Sequence, residues 1–326
     1  MKPGIPAAIA LATALAAAAP PHGARAAEVA VFTRNTTSPL ARAIRLGAEF
    51  SAGRLGLAVS HYVPTTADSA AEQGKLVDDA VARKPDAVVF DPIDGGNAAP
   101  AVEKLNAAGI PVIGIVDRAG GARFDSAVLP DDYRLGLETA RRLVAALAGR
   151  GGVKGGVVVI EGIATAASSV DRVRGFTDAL AAAPGVTLLA SKSGNYQRRP
   201  AQEVMEGFMR QFPAIDGVLA ANDAMAAAAV EVLEKRGRPA LVAGINGSKE
   251  AVDLIRAGRM LASGEYNGFV IGCLAVAVAG RHLRHEPVPK EVVLRPAVYD
   301  AANVDRYAAR AEMAECPALE DETGPQ

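Results

Sequence analysis

The chain has no tryptophan, and phenylalanine and tyrosine make up only 4% of its 326 residues. A stacking platform for a ring-shaped partner therefore has few residues to draw on. Charge of neither sign is in excess, with 35 Lys and Arg against 36 Asp and Glu. That balance provides neither a basic surface for nucleic acid nor an acidic tail. Cysteine is nearly missing. Cys273 and Cys316 are too few and too far apart in sequence for a cysteine metal site. Cys273 lies in the apolar run 270–278 and reads as a core helix position, a small buried thiol. An exported chain would also permit a Cys273–Cys316 bridge.

Histidine is scarce as well. His22 falls near the N-terminus, His282 and His285 share a basic loop, and His61 stands alone. A lone histidine reads as a satisfied structural group rather than a general base. There is no Gly-x-Ser-x-Gly elbow, and no Gly-x-Gly-x-x-Gly follows the first strand. The glycines at 151–156 and the Gly247-Ser248-Lys249 run lack phosphate-loop spacing and read as turns. No cofactor is called for. An exported sugar isomerase or epimerase is disfavoured by the missing base and metal cluster.

The apolar stretch at 5–19 is shorter than the ~20 residues of a membrane span. With Lys2 ahead of it and Ala24-Arg25-Ala26 behind, residues 1–27 read as a cleaved export signal. Cleavage near Ala26 would leave the mature chain in a periplasm. No cysteine lies there to carry a lipid.

What the chain does contain is regular alternation. Strands are expected at 29–33, 55–62, 86–90 and 112–116, with helices at 39–53, 67–83 and 96–108. The pattern restarts with helices at 134–148, 168–183, 199–212, 223–236, 248–257 and 269–282. Strands at 157–161, 186–191, 218–221, 241–245 and 260–263 interleave with them. This spacing argues for right-handed βαβ units and parallel sheets in two α/β halves. Residues 124–132, with Pro130 and acids, read as a linker, and 150–156 as a glycine-rich turn. The last helix and a strand at 292–294 would pack back on the first half.

Ligands of open parallel sheets sit outside the carboxyl ends of the strands. Those ends carry Asp91, Asp117-Arg118, Glu161-Gly162 leading to Arg172, Tyr196, Asn222-Asp223, Asn246 and Glu265-Tyr266. A carboxylate beside a guanidinium offers acceptors next to a fixed fork of donors, which suits the vicinal hydroxyls of a sugar or polyol. Asp223 reads as the cap of its helix.

These residues resemble the periplasmic sugar-binding proteins of the ribose-binding type, the substrate-binding subunits of ATP-driven importers. The resemblance runs from about Val29 to Tyr307. It rests on Asp117-Arg118, Gly162-Ile163-Ala164, the run Arg172-Val173-Arg174-Gly175-Phe176, Ala221-Asn222-Asp223-Ala224-Met225, the run Val242 to Gly247, and Asn303-Val304-Asp305-Arg306-Tyr307. It implies an α/β fold of two Rossmann-like lobes with parallel sheets, joined by a multi-strand hinge (periplasmic binding protein type I). The expected division is 28–130 plus 265–295 for one lobe, 131–264 plus 296–312 for the other, and 313–326 as a tail.

By the same resemblance, Asp117, Arg118, Arg172 and Asn222 keep hydroxyl-binding types. Asn246 stands where an aspartate is usual and Asp91 where an asparagine is. Tyr196 matches an aromatic covering one sugar face, and Glu265 or Tyr266 falls near a glutamine. The first loop departs most. Pro39 is followed by Leu40 and Ala41 instead of two stacking aromatics, Ser38 replaces an amide, and Arg34 replaces a serine. That departure implies a ligand other than an ordinary pentose, with Arg34 available to an anionic or larger one. The implied partners are a sugar or polyol and the membrane permease of an ABC importer, with a monomeric chain and no nucleic acid. A sensory binding protein reporting to a receptor or kinase is the alternative. A cytoplasmic repressor of this fold is disfavoured by the export signal and the lack of a DNA-binding headpiece.

Overall fold

Three of the strands at the centre of the first sheet are short, continuous apolar runs. β1 (Glu28–Phe32), β3 (Ala87–Phe90) and β4 (Val112–Ile115) read EVAVF, AVVF and VIGI and are buried along nearly their whole length. Strands of this kind are covered by helices on both faces, as in parallel α/β sheets. The computed structural model of the chain describes residues 25–95, 98–117, 120–149, 155–305 and 316–323. The expected export signal, 25–27 apart, lies outside the described residues.

With β2 (Ala58–Tyr62), β5 (Ser126–Pro130) and β11 (Glu291–Leu294), these strands form a parallel sheet ordered β11-β5-β4-β3-β1-β2. A second sheet is ordered β12-β10-β9-β8-β6-β7. It contains β6 (Gly155–Glu161), β7 (Val186–Ser193), β8 (Gly217–Ala220), β9 (Leu241–Asn246), β10 (Ala262–Glu265) and β12 (Val298–Asp300). Only β12 runs antiparallel to its neighbour. The chain passes between the sheets after Pro130, after Glu265, and between Leu294 and Val298. The chain thus forms the two α/β lobes expected from the sequence.

Helices α1 (Pro39–Leu55), α2 (Ala70–Arg83), α3 (Ala99–Ala107) and α9 (Gly268–Leu283) accompany the first sheet. The second carries α4 (Asp132–Ala148), α5 (Ala167–Ala181), α6 (Arg198–Gln211), α7 (Asp223–Lys235) and α8 (Lys249–Arg256). In each lobe two helices pack backbone against backbone at glycine. A Cβ on Gly47 of α1 would lie 1.9 Å from the Phe269 carbonyl oxygen of α9, and one on Gly136 of α4 would lie 2.2 Å from that of Arg172 on α5. The second contact fixes the helix that carries Arg172. Among the described residues no helix is long and apolar enough to cross a membrane.

Three expectations are corrected. Residues 126–130 are not linker but β5, buried throughout and paired with β4 and β11. Pro130 closes the strand, where its missing N–H removes at most one bond from the ladder. The strand expected at 55–62 begins at Ala58, since α1 runs on through Leu55 and stops only at Gly56, in the left-handed conformation with φ 68°. Gly155 and Gly156 belong to β6 rather than to a turn, paired with Val186 and Thr187 of β7, and a side chain at Gly156 would strike Leu189.

Cys273 is fully buried in α9, yet it is not a free thiol. It is disulfide-bonded to Cys316, 43 residues later. That bond fastens the C-terminal segment with α10 (Leu319–Thr323) onto α9 and β11 of the first lobe, where Arg281 also pairs with Glu320.

Candidate functional site

A small cavity lies between the lobes where the carboxyl ends of the strands meet. Val116, Asp117, Leu129 and Pro130 line it from the first lobe, and Asp132, Ala167, Ser168 and Asp171 from the second. The Tyr266 hydroxyl reaches across the gap to the Val116 carbonyl at 3.4 Å.

The first-lobe wall is built on two bent strand ends. After β4 the Asp117 amide donates to the Ile115 carbonyl at 2.8 Å, closing a three-residue turn with Val116 at φ 72°. A β-branched residue there is strained, and such strain persists where the surroundings hold a functional backbone in place. After β3 the Gln73 amide donates to the Asp91 carbonyl (2.8 Å) and accepts from the Ile93 N–H (3.1 Å). Asp91 and Asp117 are buried, and Oδ1 of each has no hydrogen-bond partner among the described residues. Burial pushes the Asp91 carboxyl well above the usual range. Arg34 opposes the shift, while Asp117 and Asp68 add to it.

Arg34 is not a free cation. Its Nε donates to Asp68 Oδ1 at 3.2 Å, and its guanidinium lies 3.8 Å from Asp117 Oδ2. Asn35 also donates to Asp68, at 3.3 Å. Arg34, expected to be available to an anionic or larger ligand, thus stands at the first-lobe wall with two acids beside it. Leu40 packs toward Gly268 of α9 and Ala41 is buried, so neither offers a face to the cavity. Ser38 caps α1, its hydroxyl accepting from the Ala41 N–H at 3.5 Å.

The second-lobe wall is organised by Arg172, 4% exposed on α5. Its Nε donates to Asp132 Oδ1 at 2.6 Å, and another of its nitrogens donates to the Ala221 carbonyl (2.8 Å) and Asn246 Oδ1 (3.4 Å). The guanidinium lies 4.9 Å from the centre of the Tyr266 ring and 6.0 Å from that of Tyr196, within cation–π range. Burial works against the charge on Arg172, but Asp132 and the two tyrosines outweigh it and raise its pKa. Burial lifts Asp132 to about 6 despite the opposing Arg172.

Tyr196 sits at φ 60° with its ring against Gly162, where a side chain would collide with it. Its hydroxyl lies 3.1 Å from that of Ser168, and its carbonyl accepts from the Asn222 amide at 3.1 Å. Burial raises both tyrosines, Tyr266 strongly. Asn246, at φ 139°, ends β9 beside Arg172. Glu265 instead bonds sideways, accepting from Asn267 at 3.0 Å, so Tyr266 is the member of that pair packed on Arg172. Arg118 lies outside the described residues.

The expected capping role of Asp223 is corrected. Asn222 caps α7, accepting from the Met225 N–H at 2.9 Å. Asp223 is buried behind it, accepting from the Ser248 N–H (2.7 Å) and the Ser263 hydroxyl (2.6 Å), and burial lifts it to about 6. His61 pairs with Glu49 at 2.8 Å, away from the cavity.

Sequence reasoning missed Asp68, Gln73, Asp132 and Ser168. Asp132 left a signal, an acid pair directly after Pro130 at the entry of a helix. Asp68 and Gln73 left none, since they precede or occupy a helix rather than a strand end. Together the walls hold carboxylates, amides, hydroxyls and two paired arginines, a set for hydrogen-bonding a small polar molecule.

Comparison with known proteins agrees with this geometry. A family model described as the periplasmic binding protein domain matches residues 11–287. The xylitol-binding protein of Mycolicibacterium smegmatis is 27% identical over 235 residues, 72% of this chain and 66% of that protein, just short of two thirds of its length. The ribose import binding protein of Bacillus subtilis is 28% identical over 255 residues, 78% of this chain and 81% of its own. The D-apiose import binding protein of Paraburkholderia graminis is 30% identical over 230 residues, covering 70% and 72%. Among solved structures, an ABC transporter periplasmic solute-binding protein from Actinobacillus succinogenes with bound D-allose superposes with a TM-score of 0.80. It is 27% identical and covers 86% of this chain and 100% of its own. A solute-binding protein from Mycobacterium smegmatis with bound glycerol gives 0.78 at 27% identity, covering 86% and 96%. The chain belongs to the periplasmic binding protein domain family and has the two-lobed type I fold.

Proposed function

We propose that the protein is an exported, periplasmic solute-binding protein. It captures one small sugar or polyol between its lobes and delivers it to the membrane permease of an ABC importer. Its ligand set is Asp91, Asp117 and Arg118 from the first lobe with Arg172, Tyr196, Asn222, Asn246 and Tyr266 from the second. The observation that carries this reading is the pair of buried carboxyl oxygens, Asp91 Oδ1 and Asp117 Oδ1, that no donor among the described residues meets. Buried acceptors are matched in functioning proteins, and ligand hydroxyls supply the missing donors. The proteins and structures it resembles are named for, or hold, xylitol, ribose, D-apiose, D-allose and glycerol. All five are small, uncharged and rich in hydroxyls.

A thermal-shift screen of pentoses, hexoses and alditols tests the proposal. A ligand at about 100 times its dissociation constant adds about 2.7 kcal/mol, a shift of several degrees. Stabilisation by one or a few of these compounds, with one-to-one calorimetric binding, is expected. Silence across the panel, or a response to amino acids alone, contradicts it.

A further inference from the structure

We infer that Asp91 enters ligand binding as an uncharged carboxylic acid, one of its oxygens accepting from a ligand hydroxyl and the other donating to one. The inference rests on the proposed binding function and adds to it the form in which this residue meets the ligand.

The geometry is three carboxyls around one cation. Arg34, in the loop after β1, pairs with Asp68 ahead of α2 and with Asp117 after β4. Asp91, after β3, feels all three charges, but the ion pairs of Arg34 among the described residues are with the other two acids. The remaining groups that face Asp91 are neutral and already engaged. The Gln73 amide is held by the Asp91 carbonyl and the Ile93 N–H, and the Tyr266 hydroxyl donates to the Val116 carbonyl.

Three ionised carboxyls on one guanidinium would leave two negative charges uncompensated, and carboxyls that share a site avoid this by keeping a proton. Asp91 is the place to keep it. It is 2% exposed, whereas the Asp68 side chain is 50% exposed and Asp117 lies against Arg34. Burial, with Asp117 and Asp68 adding to it, raises the Asp91 carboxyl well above the usual range, and Arg34 does not offset them. An ionised carboxyl only accepts hydrogen bonds, while a protonated one accepts and donates, as an amide does. Ligand hydroxyls can meet both kinds of group. Asp91 Oδ1, which has no partner among the described residues, is then matched without a buried charge.

Carbon-13 NMR of the full mature chain, Arg118 included, with labelled aspartate carboxyl carbons reads this directly and without ligand. At pH 6 an ordinary aspartate, with a pKa of about 3.9, is ionised by roughly a hundred to one. The resonance that Asp91→Asn deletes should instead stand at the protonated position at pH 6. It should stay there when the protein is saturated with the tightest binder among xylitol, ribose, D-allose and the rest of the sugar and alditol panel. If Asp91→Asn does not fold, Asp117→Asn marks the same resonance, because loss of a neighbouring acid moves its titration to lower pH. An ionised position at pH 6 without ligand overturns the inference, and ionisation on saturation overturns the donor role; both leave the binding function standing. Calorimetry with the same compound should give a level affinity while the resonance stays protonated and a falling one as it ionises at higher pH. An affinity that rises as Asp91 ionises overturns the donor role. Silence across the whole panel overturns the proposed function and the donor role with it, and the ligand-free spectrum still decides the charge on Asp91.

Discussion

Arg172→Met removes the guanidinium that organises the second-lobe wall while leaving a side chain of similar reach. In the wild type this group pairs with Asp132 at 2.6 Å, and Asp132 is itself only 8% exposed. Breaking a buried pair from one side costs about 3–5 kcal/mol, because the remaining charge stays buried and uncompensated. The Ala221 carbonyl also loses its 2.8 Å donor from Arg172. A loss of about 3 kcal/mol or more at pH 8 is expected, read by urea unfolding followed through tyrosine fluorescence.

The same pair sets the pH dependence. Burial raises Asp132 to about 6 while Arg172 pulls it down, so removing Arg172 moves it higher still. Between the unfolded value, about 3.9, and the folded one, the folded state holds the extra proton. Stability therefore falls as pH rises through that window, and the variant's window extends further upward. The defect of Arg172→Met should be smaller at pH 5, where Asp132 is protonated and neutral, than at pH 8. Adding Asp132→Asn should recover part of the loss at pH 8. A defect under about 1 kcal/mol at pH 8, or one that grows toward pH 5, refutes the reasoning.

Asp117→Ala should weaken binding of the best responder by roughly a hundredfold, since two charge-assisted bonds at about 1.5–3 kcal/mol each are lost; calorimetry showing near-wild-type affinity contradicts this. Cys316→Ser opens the 43-residue loop closed by the disulfide, and the chain-entropy estimate for that length is about 4 kcal/mol at 25 °C. Its melting temperature should fall by several degrees in oxidising buffer, while wild type in reductant should match it. Gly47→Ala places a methyl 1.9 Å from the Phe269 carbonyl oxygen and should cost about 2 kcal/mol or more. Gly74→Ala, with nothing within 4 Å on α2, should instead gain about 0.5–1 kcal/mol in chemical denaturation.

The α/β class was legible because EVAVF, AVVF and VIGI are strand-length apolar runs set between helix-period segments. Residues that directly end a strand, such as Asp91 and Asp117, were legible as positions for the same reason. What was hidden depended on distant parts of the chain. β5 resembled a linker because Pro130 and two acids follow its apolar residues, and its pairing with β11 joins Ala127 to Glu291. Cys273 looked like any core cysteine because Cys316 lies in a tail with no apolar pattern of its own. Arg34 looked free because Asp68, which holds it, is 34 residues away and ends no strand. Asn222 and Asp223 are both capping types, and only the positions of Ser248 and Ser263 show that Asp223 bonds inward while Asn222 caps the helix.

The central claim is that a small hydroxyl-rich solute is held by both walls, so its binding must favour the closed arrangement of the lobes. Small-angle scattering of the full mature chain, with and without a saturating amount of the best responder from the screen, measures this directly. The radius of gyration should fall on addition of ligand in the wild type and should fall less in Asp117→Ala at the same ligand concentration. An unchanged radius in wild type with calorimetrically confirmed saturation would contradict the account.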